Sequence, residues 1–194
     1  MMVKICGITN REDALAAIDG GAAALGFNFY PASPRYIAPE EAAAIAATLP
    51  QGVWKVGVFV DESPETVLRA AGQVGLDIAQ LHGSESPEQY PRGMRVWKAI
   101  RVRDGQALLA PSGPAEAVLL DGPASGRSFD WARVPQGIAR LILAGGLDAG
   151  NVREAIEQVH PWGVDACSRI ESSPGRKDRF KMAAFLKTAL AASR

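Results

Sequence analysis

Cysteine and histidine are both scarce in this chain of 194 residues, which contains two of each. Cys6 and Cys167 lie far apart in the sequence and belong to no CxxC or histidine-rich motif. A disulfide framework and a structural zinc site are therefore not expected, and we predict no metal ligands.

An excess of charge of one sign is also missing, because lysine plus arginine and aspartate plus glutamate number 21 each. Without a basic excess we expect no nucleic-acid partner, whereas small neutral or anionic ligands remain open. No apolar run approaches the roughly 20 residues that span a bilayer, and the N-terminus lacks the charged-then-apolar layout of a secretory signal. We therefore expect a cytoplasmic protein that has no membrane association.

Apolar sequence is plentiful, since 47% of the residues are hydrophobic. A chain of this size can bury one sizeable core and does not require two domains, so we predict a single domain over residues 1–194. Short apolar runs typical of buried strands alternate with segments of helical spacing. Eight strands are predicted, at residues 3–8, 24–30, 54–60, 77–83, 95–102, 117–122, 140–146 and 163–168.

The segments between and after these strands show apolar spacing near three to four, which is typical of helices. They cover residues 11–21, 39–49, 63–75, 86–91, 104–110, 129–134, 149–159 and 178–192. Strict alternation of strand and helix requires right-handed crossovers onto a parallel sheet that is covered on its outer face. Eight such units predict an α/β fold, a (β/α)8 TIM barrel that is compact because the helices in the middle of the chain are short. The alternative is a doubly wound open sheet, but "CGITNR" supplies only one glycine where the dinucleotide-binding turn of that fold needs several.

In such a barrel the chemistry gathers where the strands end, so polar residues that close an apolar run are the candidates for a site. They are Cys6, Asn28, Arg35, Asp61, His82, Arg101, Asp121, Gly145, Gly146, Asp165 and Ser168. Taken singly, each has another interpretation. Cys6 could be a small buried hydrophobe, Asp121 a turn former, His82 a hydrogen-bonded loop residue and Arg35 a solvated cation.

Two adjoining loops are stronger evidence for a binding site than any single residue. "LAGGLDAGNVREAI" puts two glycines between a buried strand and a helix, which leaves backbone N–H groups free to approach an anion. "CSRIESSPGRKD" adds hydroxyls and a further glycine after the last strand, and these two positions are where barrels often bind phosphate. A thiol on the first strand and a carboxylic acid on the sixth would supply a base and an acid for proton transfer.

The segments "KICGIT", "GFNFYPASPRYI", "QLHG", "LLDG", "LAGGLDAGNV", "GVDACSRIES" and "PGRKD" together resemble the phosphoribosylanthranilate isomerase family of tryptophan biosynthesis, in that family's order and over essentially the entire chain. The resemblance implies a barrel enzyme that needs no cofactor. It also implies an Amadori rearrangement, which converts N-(5-phosphoribosyl)anthranilate to 1-(2-carboxyphenylamino)-1-deoxyribulose 5-phosphate.

The resemblance also implies roles for individual residues. Asp121 matches the general acid that protonates the furanose ring oxygen, and Cys6 the general base that removes the proton from C2. Arg35 matches the position that grips the anthranilate carboxylate, and Gly145 and Gly146 match the phosphate-binding turn. The remaining candidates for binding the phosphorylated substrate are His82, Asp165, Ser168 and Arg169. We expect a monomer or a homodimer.

The chain departs from the family pattern after the last strand, where "ACSR" stands in place of "VSSG". Arg169 replaces a glycine and Cys167 a serine, so Arg169 could contact the phosphate or turn into solvent. The change leaves two alternatives open: the related isomerase of histidine biosynthesis, or a bifunctional enzyme, and a phosphosugar-binding barrel without catalysis. Cys6 in place of an aspartate argues against the first, and the intact pair of Cys6 and Asp121 argues against the second.

The first and last strands of a closed barrel are neighbours, so Cys6 and Cys167 could lie close together at its mouth. A disulfide needs Cα atoms within about 7 Å, and the sequence leaves open whether the strand register provides this or keeps the thiols apart. Lys4 has the same side-chain parity as Cys6 and could lie in the layer beneath it.

Overall fold

Eight parallel strands close into one barrel in the order of the chain. The computed structural model describes residues 1–103 and 113–192. Each strand pairs with the next, and the eighth pairs with the first. The strands are β1 (Met2–Cys6), β2 (Ala24–Asn28), β3 (Trp54–Phe59), β4 (Ile78–Leu81), β5 (Arg95–Arg101), β6 (Ala117–Asp121), β7 (Leu141–Leu143) and β8 (Gly163–Ala166). The predicted barrel is confirmed, and the doubly wound open sheet is wrong.

The observed strands stop earlier than predicted because their last residues turn into the loops of the mouth. The strand predicted over 140–146, for example, ends at Leu143. Gly145 and Gly146 follow with φ angles of 82° and 66°, a left-handed conformation that leaves the ladder and that glycine adopts without strain.

Five α-helices of residues 1–103 and 113–192 cover the outside of the barrel. They are α1 (Arg11–Asp19), α2 (Pro39–Ala46), α3 (Pro64–Val74), α4 (Val152–Val159) and α5 (Arg179–Ala192). The short helices predicted at 86–91 and 129–134 are single 3-10 turns, at Pro87–Gln89 and Trp131–Arg133. Pro91 follows the first of these turns closely and has no N–H with which to continue a helix. The helix predicted at 104–110 lies outside the described residues.

Helix ends follow local sequence signals. Asn10 caps α1 by accepting a hydrogen bond from the N–H of Asp13, and Ser63 caps α3 in the same way. Gly75 ends α3 with a φ of 71°. Within the described ranges, no helix has both the length and the apolar character that crossing a membrane requires.

The barrel interior changes character from one end to the other. Near the N-terminal ends of the strands it is apolar, with Met2, Ala24, Ile78 and Ala117 all buried. Towards the C-terminal ends the buried residues include charged and polar ones: Lys4, Gln80, Lys98 and Asp165. Such groups are rarely buried unless they are paired or functional, so the polar end of the interior is where a site is expected.

An aromatic and ionic cluster closes the N-terminal end. Trp54, Trp97 and Trp162 pack with their ring centroids about 6 Å apart. Arg95 lies over Trp54 at 4.6 Å and Arg140 over Trp162 at 5.5 Å. The carboxylate of Glu116 accepts hydrogen bonds from both guanidinium groups, at 2.6–2.7 Å.

Glu116→Gln is expected to lower the free energy of unfolding by about 1 kcal/mol, because one carboxylate holds two arginines in place over aromatic rings. Urea unfolding followed by tryptophan fluorescence measures the loss. Glu157→Gln is the matched control, since Glu157 pairs with Arg153 at 3.8 Å with both side chains more than half exposed. Equal losses in the two variants would show that the cluster adds nothing beyond an ordinary surface ion pair.

Candidate active site

A cavity with a volume of about 810 Å³ opens at the C-terminal ends of the strands. Every polar residue predicted at a strand end lines it. These residues are Cys6, Asn28, Arg35, Asp61, His82, Arg101, Asp121, Gly145, Gly146, Asp165, Ser168 and Arg169. The cavity could hold a phosphorylated sugar that carries an aromatic ring, since small-molecule sites commonly have volumes of 300–1,000 Å³.

Cys6 is the last residue of β1 and is 9% exposed. Its neighbour in the register of β2 is Gly26. A Cβ at Gly26 would lie 2.8 Å from the Sγ of Cys6 and 3.1 Å from the Cε of Lys4. The glycine on β2 therefore leaves the space that the thiol and the lysine occupy.

Lys4 and Asp165 form a buried ion pair directly below the thiol. The Nζ of Lys4 is 2.8 Å from Oδ2 of Asp165, and the two residues are register partners in β1 and β8. Burial raises the pKa of Asp165 to about 7, although Lys4 works against this. Burial alone would lower the pKa of Lys4, but the charges of Asp165 and Cys6 outweigh it and raise that pKa. Lys4 therefore remains a cation beside Cys6.

A second thiol contacts the first. A hydrogen-bonding interaction with the side chain of Cys167 is the main cause that lowers the pKa of Cys6 well below its ordinary value. The Sγ of Cys167 also donates to Oε1 of Glu171 at 3.9 Å. Burial opposes the shift, and the charges of Lys4 and Lys177 add to it. The pKa of Cys167 is raised, first by the same hydrogen bond and then by burial. These opposite shifts favour the thiolate form at Cys6 and the protonated form at Cys167.

Cys167→Ala and Cys167→Ser provide a direct test of this hydrogen bond, because each leaves Cys6 as the only thiol of the chain. Serine keeps a donor and alanine does not. We expect alkylation of Cys6 by iodoacetamide, followed across a range of pH, to have its midpoint at a higher pH in the alanine variant, since removal of a donor to the thiolate raises its pKa. Coincident pH profiles would contradict the assigned donor.

An antiparallel hairpin after β8, which no sequence pattern predicts, brings two further charged residues to the site. It consists of β9 (Glu171–Ser173) and β10 (Arg176–Lys177). The buried Nζ of Lys177 donates to Oε1 of Glu171 at 2.9 Å and lies 3.9 Å from the Sγ of Cys167. Sequence reasoning missed both residues as members of the site, although the segments "GVDACSRIES" and "PGRKD" contain them.

The guanidinium group of Arg35 binds Glu171 through two nitrogens. Nε donates at 2.9 Å and 3.1 Å to the two carboxylate oxygens, and Nη2 donates at 2.7 Å. The loop that carries Arg35 is ordered by Ser33, whose Oγ accepts from the N–H of Arg35 and from the side-chain amide of Asn28. Glu171 thus accepts hydrogen bonds from two cations, Arg35 and Lys177, which leaves an excess of positive charge at this edge of the cavity.

Asp121 ends β6 with its side chain 27% exposed to the cavity. Its Oδ2 is 3.3 Å from Nε2 of His82, an electrostatic contact rather than a well-aligned hydrogen bond. The Nδ1 of His82 lies 3.4 Å from the amide nitrogen of Gln80. Gln80 itself is buried, lines the cavity, and has no partner for Oε1 among the described residues. His82 therefore lies beside the carboxyl group predicted to be the acid.

The loop that holds His82 is fixed by an internal ion pair. The buried carboxylate of Glu85 accepts from Nζ of Lys98 at 2.6 Å and from the N–H groups of Gly83 and Asp61. Asp61, a predicted site residue, accepts in turn from the N–H and hydroxyl of Ser84. Asp61 therefore connects two loops at the mouth of the barrel, which is a structural role.

The glycine turn after β7 packs against the loop after β6. A Cβ at Gly146 would lie 2.5 Å from the nitrogen of Ser128, and one at Gly145 would collide with the backbone of Gly122. The N–H groups of Gly145 and Gly146 donate to no acceptor in residues 1–103 and 113–192. Binding of an anion by these two N–H groups stays a prediction from the sequence.

Arg169 forms an ion pair with Asp148, a partner that the sequence reasoning did not consider. Its Nε and Nη2 atoms both lie 2.6 Å from Oδ2 of Asp148, in the loop after β7. The side chain is 47% exposed and still lines the cavity. The arginine therefore joins the two loops that were predicted to bind phosphate, and its neighbour Ser168 lines the same side.

A closed barrel whose mouth combines a thiol of lowered pKa, a carboxyl group, an arginine and free glycine N–H groups is typical of an enzyme that performs acid–base chemistry on a phosphorylated small molecule. Comparison with known proteins shows which kind of enzyme this is. A profile of the N-(5'-phosphoribosyl)anthranilate isomerase family matches residues 3–188, and the chain belongs to that family. An N-(5'-phosphoribosyl)anthranilate isomerase of Solibacter usitatus (strain Ellin6076) is 53% identical, over 99% of this chain and 98% of its own length.

Solved structures agree with this placement. The phosphoribosyl anthranilate isomerase of Thermus thermophilus superposes with a TM-score of 0.90 at 42% identity, with complete coverage of both chains. Another solved isomerase of this name, in complex with reduced 1-(o-carboxyphenylamino)-1-deoxyribulose 5-phosphate, superposes with a TM-score of 0.84 at 39% identity. That comparison covers 98% of this chain and 99% of the other. The resemblance stated from the sequence is confirmed.

Proposed function

We propose that Cys6 and Asp121 carry the two proton transfers by which this isomerase of tryptophan biosynthesis converts N-(5-phosphoribosyl)anthranilate to 1-(2-carboxyphenylamino)-1-deoxyribulose 5-phosphate. The observation that carries the proposal is the presence, in one cavity, of a thiol with a lowered pKa and a partly exposed carboxyl group. The two are separated by β7 and β8 around the barrel, so a ligand can lie between them.

The reaction begins when the carboxyl group of Asp121 donates its proton to the furanose ring oxygen. The bond between C1 and that oxygen breaks, and the lone pair of the anthranilate nitrogen forms the iminium ion. The thiolate of Cys6 then removes the proton from C2, and the electron pair moves to give the enolamine. Tautomerisation of the enolamine to the ketone returns the protons, so atoms balance over the whole isomerisation.

The electrostatics of the site favour Cys6 as the base and Asp121 as the acid. A thiolate near neutral pH is an effective base, and the hydrogen bond from Cys167 and the charges of Lys4 and Lys177 maintain it. His82, 3.3 Å from Asp121, limits the positions that the carboxyl group can take. We propose His82 and Asp165 as contacts for the substrate's ribose portion, because both line the cavity and Oδ1 of Asp165 has no partner among the described residues.

The charges at the rim favour one orientation of the substrate. The free N–H groups of Gly145 and Gly146, together with Ser168 and Arg169, would bind the phosphate after β7 and β8. Arg35, oriented by Glu171, would bind the anthranilate carboxylate from the loop after β2. The phosphate and the aromatic ring would then extend in different directions from the reacting carbons.

Arg35→Met is expected to raise KM more than it lowers kcat, because a carboxylate contact is present in both the ground state and the transition state. Steady-state kinetics that follow substrate fluorescence measure both constants. Arg35→Lys is the matched control, since it keeps the charge and removes the planar fork, and we expect an intermediate KM. An unchanged KM in the methionine variant would remove Arg35 from the substrate site.

The test of the proposed function is the decay of fluorescence of freshly generated phosphoribosylanthranilate in the presence of the purified protein. We expect the decay to be far faster than in buffer, and the doubly phosphorylated substrate of the related histidine-pathway isomerase to be left unchanged. No acceleration over buffer would contradict catalysis. We further propose that the enzyme acts in the cytoplasm, where its two thiols stay reduced, and that it has no nucleic-acid partner.

A further inference from the structure

Cys6 ends β1, and Cys167 directly follows the end of the neighbouring strand β8. The register between β1 and β8 pairs Lys4 with Asp165 and Ile5 with Ala166, so the next step along both strands brings Cys6 beside Cys167. The pairing reaches Ile5 and Ala166, the residues directly before the two cysteines, and paired parallel strands lie 4.7–4.9 Å apart. A disulfide needs a Cα separation of 4.4–6.8 Å. The Sγ of Cys167 lies 3.1 Å from the position that a Cβ would take at Gly7, the residue after Cys6, and both thiols are free.

Both sulfur atoms can be reached by a small solute. Cys6 and Cys167 line the 810 Å³ cavity, which is open at the mouth of the barrel. Cations lie on two sides, with Lys4 below Cys6 and the Nζ of Lys177 3.9 Å from the Sγ of Cys167. A thiolate in an electropositive and accessible position is the form of cysteine that peroxides oxidise most readily.

We propose that hydrogen peroxide converts Cys6 and Cys167 to an intramolecular disulfide that switches the enzyme off reversibly. The thiolate of Cys6 attacks one peroxide oxygen, the O–O bond breaks, and after proton uptake the products are a sulfenic acid and water. The sulfur of Cys167 then attacks the sulfenic sulfur, the S–O bond breaks, and a second water leaves with the proton of Cys167. Two thiols are oxidised by two electrons, and one peroxide is reduced to two waters.

Oxidation of Cys6 to the sulfenic acid makes Cys167 more reactive for the second step, the attack on that sulfenic acid. In the reduced enzyme Cys167 is kept protonated by its hydrogen bond to Cys6, by burial and by the negative charge of Cys6. Oxidation of Cys6 to the sulfenic acid removes that charge. The charges of Lys177 and Arg35 then favour the thiolate of Cys167, against the nearby carboxylates of Glu171 and Asp165. Attack on the sulfenic acid competes with further oxidation to the sulfinic acid, and a sulfur already in contact reacts without a chain rearrangement.

The loss of activity rests on the proposed role of Cys6 as the base, whereas formation of the bond does not. A serine at position 167 cannot resolve a sulfenic acid. Oxidation of such a chain proceeds to the sulfinic and sulfonic acids, which thiols do not reduce. The cysteine at this position would therefore protect the base of this particular enzyme from permanent loss.

The experiment treats the wild-type enzyme and Cys167→Ser with a small excess of hydrogen peroxide, and compares each with its own untreated activity. Trypsin cleavage after lysine and arginine releases Cys6 in the peptide 5–11 and Cys167 in the peptide 154–169. In the wild-type enzyme we expect these peptides to be joined under non-reducing conditions, the intact mass to fall by two hydrogen atoms, and dithiothreitol to restore activity. In Cys167→Ser we expect a mass gain of two or three oxygen atoms on peptide 5–11 and no recovery with dithiothreitol.

Recovery of wild-type Cys6 only as sulfinic or sulfonic acid, with Cys167 unmodified, would overturn the disulfide. A bond between two different chains, seen as a dimer on a non-reducing gel, would overturn it as well. Formation of the intramolecular bond with full retention of activity would overturn the switch by removing Cys6 from catalysis. That last outcome would count against the proposed function, and the first two would leave it intact.

Discussion

Cys6→Ser is expected to lower kcat by about 100-fold or more, because a serine hydroxyl has nearly the size of a thiol but stays protonated at neutral pH. The hydrogen bond from Cys167 and the charges of Lys4 and Lys177 hold Cys6 as a thiolate. These groups cannot favour the deprotonated form of a serine hydroxyl in the same way, because its proton is far less acidic. The substitution therefore removes the base and changes little else in the cavity.

Turnover of freshly generated phosphoribosylanthranilate, followed by fluorescence, measures this effect. Binding of a reduced product analogue should survive in Cys6→Ser, and its thermal unfolding should lie close to that of the wild-type chain. Cys167→Ser is the matched control, since it makes the same chemical change one strand away and keeps a hydrogen-bond donor. Near wild-type turnover in Cys6→Ser would show that another group takes the proton from C2.

Asp121→Asn is the second substitution with a large expected effect, again about 100-fold or more in kcat. The amide has almost the shape of the carboxyl group and can retain a contact with His82, but it has no proton of suitable acidity to give to the ring oxygen. Ring opening would then depend on water. Because the effect arises in the transition state, KM should change far less than kcat.

The same fluorescence assay tests Asp121→Asn. Asp130→Asn is the matched control: Asp130 caps the 3-10 turn at Trp131–Arg133 through its side chain and does not line the cavity. We expect the control to keep its turnover. If the two variants behave alike, Asp121 is not the general acid, and the ring oxygen receives its proton from elsewhere.

Much of the fold could be read from the sequence because the signals that specify it are local. Eight apolar runs, each followed by a polar or glycine residue, were sufficient to predict eight strands and the residues at their carboxyl ends. The two shortened helices of the described middle region followed from short segments, one of them closed by Pro91. All twelve polar and glycine candidates line the same cavity, because parallel strands around a closed barrel all end at the same mouth.

Where the sequence reasoning fell short, the contacts join residues that are distant in the chain. Arg35 and Glu171 are 136 residues apart, and no periodicity pairs them. The hairpin at 171–177 is too short to show an alternating pattern, so Lys177 was not expected near the thiols. For Arg169 the sequence suggested only phosphate or solvent as surroundings, because its ion-pair partner Asp148 belongs to a different loop.

The sequence by itself thus determined the barrel, the end of the barrel at which the chemistry lies, and the residue types available there. Only the tertiary structure decided that Cys167 donates to Cys6, that Lys4 lies beneath the thiol, and that Glu171 already holds Arg35. The physical reason is the range of the interactions. Strand and turn preferences act between neighbours in the chain, whereas the pKa of a thiol and the orientation of a guanidinium group depend on a strand register and on burial that exist only after the barrel has closed.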